Sequence, residues 1–253
     1  MGKTIKWNNI TVYVEDSYGA LGRKAAEVFL EELTKRPCGV YGFATGSTPL
    51  SMYEALIRKY QEGGADFSGI TSFNLDEYYP IEKSNDQSYD YFMRENLFNH
   101  INIGSDVIDL PNGEATDPLA ECARYEAAIA ASGGIDLQLL GIGENGHIGF
   151  NEPAESFSAA THCVSLTDST IQANARFFAS ADEVPKRALT MGIKTIMQAR
   201  KILLVANSAK KSEILLRSLT GDITPLVPAS ALQLHPNVTV VIDAEAAQGW
   251  PQG

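Results

Sequence analysis

Two patterns of apolar spacing alternate along this chain. Short, dense apolar runs read as strands buried on both faces, and longer stretches with apolar residues three or four apart read as helices with one inner stripe. The expected strands are "TVYV" (Thr11–Val14), "CGVYGFAT" (Cys38–Thr45), "ITSFNL" (Ile70–Leu75), "IDLQLLGI" (Ile135–Ile142), "KILLVA" (Lys201–Ala206) and "VTVVID" (Val238–Asp243). The first expected helix, over Ser17–Leu33, places Leu21, Ala25, Val28, Phe29 and Leu33 on one face. A second is capped by Thr48, has Pro49 in its first turn, and carries Tyr53, Leu56, Ile57 and Tyr60 inward. A third starts at Asp117–Pro118 and carries Leu119, Cys122 and Tyr125; others are expected after Asp182 and through "KKSEILLRSL" (Lys210–Leu219). Strands that alternate with helices pair in parallel. The fold class predicted is therefore α/β: a Rossmann-like, open, mostly parallel sheet with helices on both faces. No repeat, linker or low-complexity run divides residues 1–253, so a single domain is expected.

Open sheets of this kind bind ligands beyond the carboxyl ends of their strands. Three polar clusters follow expected strands: "TGSTP", "NLDEYYP" and "GENGHIGFNEP". Composition narrows what they can meet. The net charge of -11 disfavours nucleic acid and anionic membranes, though a few placed cations can still hold a small anion. No apolar run approaches membrane-spanning length, and "MGKTIKWNNITVYVEDS" contains no signal-peptide core. Gly2 does not open a myristoylation site, because position 6 is Lys6. Cys38, Cys122 and Cys163 are too few and too scattered for a disulfide framework. They read as reduced, buried thiols of a cytoplasmic protein.

In "GFATGSTPL", Gly46 permits a tight turn, and Ser47 and Thr48 offer hydroxyls and backbone N–H groups at a helix N-terminus, which favours an anion. An ordinary capped turn has the same pattern. Neither the Walker ending nor G-x-G-x-x-G is present, so a nucleotide is disfavoured. Cations for a phosphate are available at Arg176, Lys210 and Lys211. Asp76 and Glu77 are adjacent in "NLDEYYP", at the end of an expected strand. Neighbours on extended backbone point opposite ways, so one carboxylate can enter a cleft while the other makes structural bonds. His147 is the one histidine in a glycine-rich polar setting, and Glu152 can orient its ring. His100, His162 and His235 read as capping, packing or solvated residues. A metal on Asp76, His147 and Glu152 is disfavoured, because no second histidine stands at ligand spacing.

Taken together and in order, "GFATGSTP", "NLDEYYP", "GIGENGHIGFNEP", "ARFF" and "LQLHP" resemble the glucosamine-6-phosphate deaminases, over residues 42 to 236. The resemblance implies conversion of glucosamine 6-phosphate and water to fructose 6-phosphate and ammonia, with no cofactor and no metal. It implies that Asp76 is the base moving a proton from C2 to C1. It also implies that His147, Glu152 and Asn145 serve ring opening, and that Gly46, Ser47, Thr48, Arg176 and Lys210 hold the phosphate. Asn145 stands where some members have Asp; it can hold an imidazole but cannot supply charge. Allosteric members carry basic residues shortly after "FNEP" and continue into a longer C-terminal tail. Here that stretch is "SFSAATHCVSL" (Ser156–Leu166), without Lys or Arg. A non-allosteric monomer or small homo-oligomer is expected, with a sugar phosphate as its only partner. The rivals are a 6-phosphogluconolactonase, which needs no C2 base, a deaminase for an isomeric amino sugar, and a sensor lacking Asp76 and His147.

Overall fold

The structure is a computed structural model. It describes residues 2–250, except 168, 169, 173, 174, 176, 177, 179, 181 and 182. The expected parallel sheet is present. It has eight strands: β1 (Lys3–Trp7), β2 (Ile10–Glu15), β3 (Val40–Phe43), β4 (Thr71–Asn74), β6 (Ile108–Asp109), β7 (Leu137–Leu140), β10 (Ile202–Ala206) and β11 (Val238–Asp243). Their order is β1-β2-β11-β10-β7-β3-β4-β6, and every pairing is parallel except β1 with β2. The central strands β3, β7, β10 and β11 are buried at every position, as dense apolar runs require.

Helices cover both faces. Phe43 packs against Phe29 of α1 (Tyr18–Lys35) and Tyr53 of α2 (Leu50–Gln61). Phe73 of β4, level with Gly42 and so on the opposite face from Phe43, packs against Tyr125 of α4 (Pro118–Ala131). Ser17 caps α1 and Asp117 caps α4. Cys122 and Tyr125 face inward on α4, but Leu119 is exposed, because it lies to one side of the face that Glu121, Cys122, Tyr125 and Ile129 bury. Of the thiols, Cys122 is buried, Cys163 is half-buried and Cys38 is exposed, since β3 starts only at Val40.

A second sheet was not legible in the sequence. β5 (Asp76–Tyr79), β9 (Arg187–Thr190) and β8 (His162–Ser165) form an antiparallel sheet in the order β5-β9-β8. Asp182 lies outside the described residues. The helix expected after it is replaced by β9, followed by the five-residue α5 (Ile193–Met197). The run "RALT" is the central strand of this small sheet, and four residues carry too little periodicity to separate strand from helix. The main and small sheets join at Leu75: its N–H donates to Phe43 and its carbonyl accepts from Met191.

Candidate active site

Three loops at the carboxyl ends of β3, β7 and β10 meet at one edge of the main sheet, beside β5. In the first, Gly46 has φ +100°, which favours glycine. Thr48 does not cap the following helix. Pro49 takes that position without a side-chain bond, and the Thr48 hydroxyl donates instead to Asn207 Oδ1 at 2.8 Å. This bond ties the Gly46–Thr48 loop to the loop that carries Lys210. Tyr18 supports the same loop, donating to the Ser47 carbonyl and accepting from Ser51 N–H. Lys210 is exposed beside it. Its loop turns at Ser208, whose N–H donates to both carboxylate oxygens of Asp243 at 3.2 Å. Arg176, expected as a further phosphate contact, lies outside the described residues.

Asp76 and Glu77 open β5 rather than closing β4, so they stand where the chain passes from one sheet to the other. The expected division of labour holds for their bonds. Glu77 Oε1 accepts from Tyr78 N–H at 2.8 Å and Tyr89 N–H at 2.9 Å, and its Oε2 accepts from Asp90 N–H at 3.0 Å. It thereby holds the start of α3 (Tyr89–Asn96) against β5. Asp76 is 6% exposed and its carboxylate has no hydrogen-bond partner among the described residues. Burial, reinforced by the charge of Glu77, pushes its carboxyl up to about 8. Burial also raises Glu77, but its three backbone donors pull back, and it comes to about 7. The donors around Glu77 commit it to holding the backbone, whereas Asp76, raised by burial and without such donors, is the carboxylate left for proton exchange.

His147 sits in the loop after β7. Its Nδ1 lies 2.7 Å from Asn145 Oδ1, while Asn145 Nδ2 donates to Glu152 Oε2 at 2.5 Å. With the amide so oriented, Oδ1 can only accept, so Nδ1 carries the proton and Nε2 is left as the acceptor. Glu152 Oε2 is itself 3.5 Å from Nδ1, and Oε1 accepts from the Thr170 hydroxyl at 2.8 Å. Burial raises the Glu152 carboxyl, yet the bonds from His147, Thr170 and Asn145 outweigh it and bring it down to about 2. It is therefore a fixed negative charge across the neutral range. Asn145 thus relays a carboxylate to the imidazole without being one.

Three positions that sequence reasoning passed over assemble the site. Thr190 of β9 stands opposite Asp76, and its hydroxyl accepts from Phe150 N–H at 3.1 Å, so one residue links the Asp76 strand to the His147 loop. Asn207 makes the bond to Thr48. Gly143 leaves room for the imidazole, because an added Cβ would lie 2.1 Å from His147 Cε1. Only Gly143 left a trace in the sequence, as one of several glycines in its motif. Gly143→Ala should displace the ring by about an ångström, and such misplacement costs on the order of 10²-fold in rate. Turnover should fall by about that factor while the thermal midpoint stays near wild type; unchanged turnover would show that the ring has room to spare.

The remaining histidines bond to carbonyls: His235 to Ala199, His100 to Glu95 and His162 to Ala160. Among the described residues no group of three or more His, Cys, Asp or Glu side chains is arranged to hold a metal. No helix among them is long and apolar enough to cross a membrane.

A parallel α/β sheet with an anion-favouring turn, a nearby lysine and separate proton-transfer groups at its carboxyl edge has the features of a sugar-phosphate enzyme. The chain belongs to the family described as glucosamine-6-phosphate isomerases/6-phosphogluconolactonase, whose model matches residues 15–241. It is 53% identical over 236 residues to a glucosamine-6-phosphate deaminase of Clostridioides difficile (strain 630), covering 93% of this chain and 95% of the relative. A glucosamine-6-phosphate deaminase of Lachnoclostridium phytofermentans is 56% identical over 225 residues, covering 89% of this chain and 95% of the relative. Among solved structures, a monomeric glucosamine-6-phosphate deaminase superposes with a TM-score of 0.91 at 46% identity, over 93% of this chain and 98% of that one. The 6-phosphogluconolactonase of Trypanosoma brucei shares the fold, with a TM-score of 0.72 at 19% identity over 95% of this chain and 98% of that one.

Proposed function

We infer that this chain is a glucosamine-6-phosphate deaminase, converting glucosamine 6-phosphate and water to fructose 6-phosphate and ammonia. The observation that carries the reading at the level of residues is the buried, unbonded carboxylate of Asp76, joined through Thr190 to the His147 loop. A lactonase has no use for a carbon base in that place. In this reading the Gly46–Thr48 turn, Lys210 and Arg176 receive the phosphate. His147 Nε2 takes the proton of the C1 hydroxyl and returns one to the ring oxygen, which opens the pyranose. The Asn145–Glu152 pair steadies the transient imidazolium. Asp76 takes the C2 proton and delivers it to C1, while the C2 amine gives up one proton and the C1 oxygen gains one, leaving a C1 hydroxyl and an imine at C2. Water adds there and ammonia leaves. Each proton removed is returned, so no redox partner is required. Ammonia release from glucosamine 6-phosphate, compared with galactosamine 6-phosphate, tests the reading and its preference at C4; release from the second alone would reassign the substrate.

The same reading takes the enzyme to be a cytoplasmic monomer without an activator site. A solved glucosamine-6-phosphate deaminase that superposes over 98% of its own length is described as monomeric. A cavity of about 260 Å³ borders Ser156, Phe157, Ser158 and His162, but its other lining is mostly apolar, and its one carboxylate, Glu152, is negatively charged. An effector phosphate placed there would lack a compensating charge. Rate against substrate concentration should be hyperbolic. N-acetylglucosamine 6-phosphate should leave it so or inhibit competitively; a sigmoidal curve made hyperbolic by that compound would reveal a second site.

A further inference from the structure

Another cavity lies against the edge strand β6, between α3 and α4, with a volume of about 340 Å³. Small-ligand pockets run from about 300 to 1,000 Å³. None of Asp76, His147 and the Gly46–Thr48 turn lines it. Its lining is mostly polar, and the charges are divided between two walls. On the α3 side, Arg94 donates through Nε to Asp90 Oδ1 at 2.5 Å. Lys83 lines the same side, tied to the start of α3 by the Ser88 hydroxyl, which donates to the Lys83 carbonyl at 3.0 Å. Two cations there meet one acid. On the α4 side, Arg124 donates to both carboxylate oxygens of Asp109 at 2.9 Å, and to Glu121 Oε1 and Oε2 at 2.8 and 2.9 Å. One cation there meets two acids. Each wall thus has a single charge in excess, and the lining as a whole has none. The two Nη groups of Arg94 and the exposed Lys83 ammonium have no hydrogen-bond or ion-pair partner among the described residues.

A simple anion in this cleft would satisfy the α3 wall and face the surplus acid opposite, and a simple cation would meet the reverse problem. A molecule that carries one charge of each sign, held apart by its body, matches both walls and leaves the sum neutral. The Nη edge of a guanidinium fits a planar carboxylate with two parallel bonds, and a single surplus cation balances a carboxylate better than a doubly charged phosphate. We propose that the cleft binds a small zwitterion with a carboxylate and an ammonium at opposite ends, an ω-amino acid. The carboxylate sits on Arg94 and Lys83, and the ammonium on Asp109 and Glu121. The proposal is independent of the functional reading above.

The probe is 6-aminohexanoate, titrated into the whole protein by calorimetry, with hexanoate and hexylamine as controls that each lack one charge. The zwitterion should bind at one site per chain, and each control roughly 10- to 100-fold more weakly, the effect of a lost charge-assisted bond. Lys83→Glu reverses the surplus on the α3 wall without touching the Arg94–Asp90 pair, and its exposed position leaves the fold intact. It should weaken 6-aminohexanoate by roughly 10-fold or more, and Lys83→Arg should not. Saturating inorganic phosphate, directed at the Gly46–Thr48 turn, should leave the zwitterion bound. No binding of 6-aminohexanoate at millimolar concentration would overturn the proposal. So would hexanoate or hexylamine binding as tightly, Lys83→Glu binding as well as wild type, or displacement by phosphate, which would place the ligand in the candidate active site.

Discussion

Asp76→Asn should fold, bind phosphosugar and turn over about 10²–10⁴-fold more slowly, the usual contribution of a general base. Its substrate-side signature is loss of solvent deuterium exchange at C2 of recovered glucosamine 6-phosphate. Its product-side signature is loss of exchange at C1 of fructose 6-phosphate. The variant should also be more stable than wild type, and the sign follows from the direction of the shift. Burial and Glu77 raise the folded-state carboxyl to about 8 from its ordinary 3.8. The folded protein then holds a proton that the unfolded chain releases, so wild-type stability falls as pH rises from about 4 and levels off above about 8. The amide has no such dependence. The stability gain of Asp76→Asn should therefore grow across that window in urea unfolding. In the wild type, kcat/KM should climb through an acidic limb lying well above the ordinary aspartate range. Undiminished carbon exchange in the variant would remove Asp76 from the role.

His147→Ala should cost a comparable 10²–10⁴-fold in ammonia release, but at a different step. Removal of the imidazole blocks pyranose opening and leaves the carbon base in place. Fructose 6-phosphate has an open-chain keto form free in solution. With ammonia present to form the C2 imine, His147→Ala should therefore retain exchange at C1 of fructose 6-phosphate that Asp76→Asn abolishes. Equal loss of that exchange in both variants would place the two residues in one step. The Asn145–Glu152 pair makes a related case. Glu152→Gln keeps the shape but removes the charge, held at about 2, that stabilises the imidazolium. It should slow ammonia release and spare the same exchange.

Dense apolar runs announced the parallel sheet well, and β11 matches "VTVVID" residue for residue. Helices with strong caps, such as α1 behind Ser17 and α4 behind Asp117, were equally legible. The small sheet was not, because β5, β8 and β9 are four residues each and pair across long sequence separations. That sheet matters for chemistry. It places Asp76 opposite Thr190, and through Thr190 beside the His147 loop, a juxtaposition that no local spacing encodes. Thr48 teaches a similar lesson: its cap-like position in sequence gave way to a partner, Asn207, from the far end of the chain. The side chains of the Asn145–His147–Glu152 set lie within one motif, so their grouping could be read directly, whereas the direction of the Asn145 amide needed coordinates.

The central claim is that this site removes an amino group by moving a proton along carbon, not by hydrolysing an ester. Incubation of the wild-type protein with glucosamine 6-phosphate, with both products quantified, tests it most directly. Ammonia and fructose 6-phosphate should appear in equal amounts, and 6-phosphogluconolactone should not be turned over above its spontaneous rate. Accelerated hydrolysis of the lactone with no ammonia from the amino sugar would contradict the account.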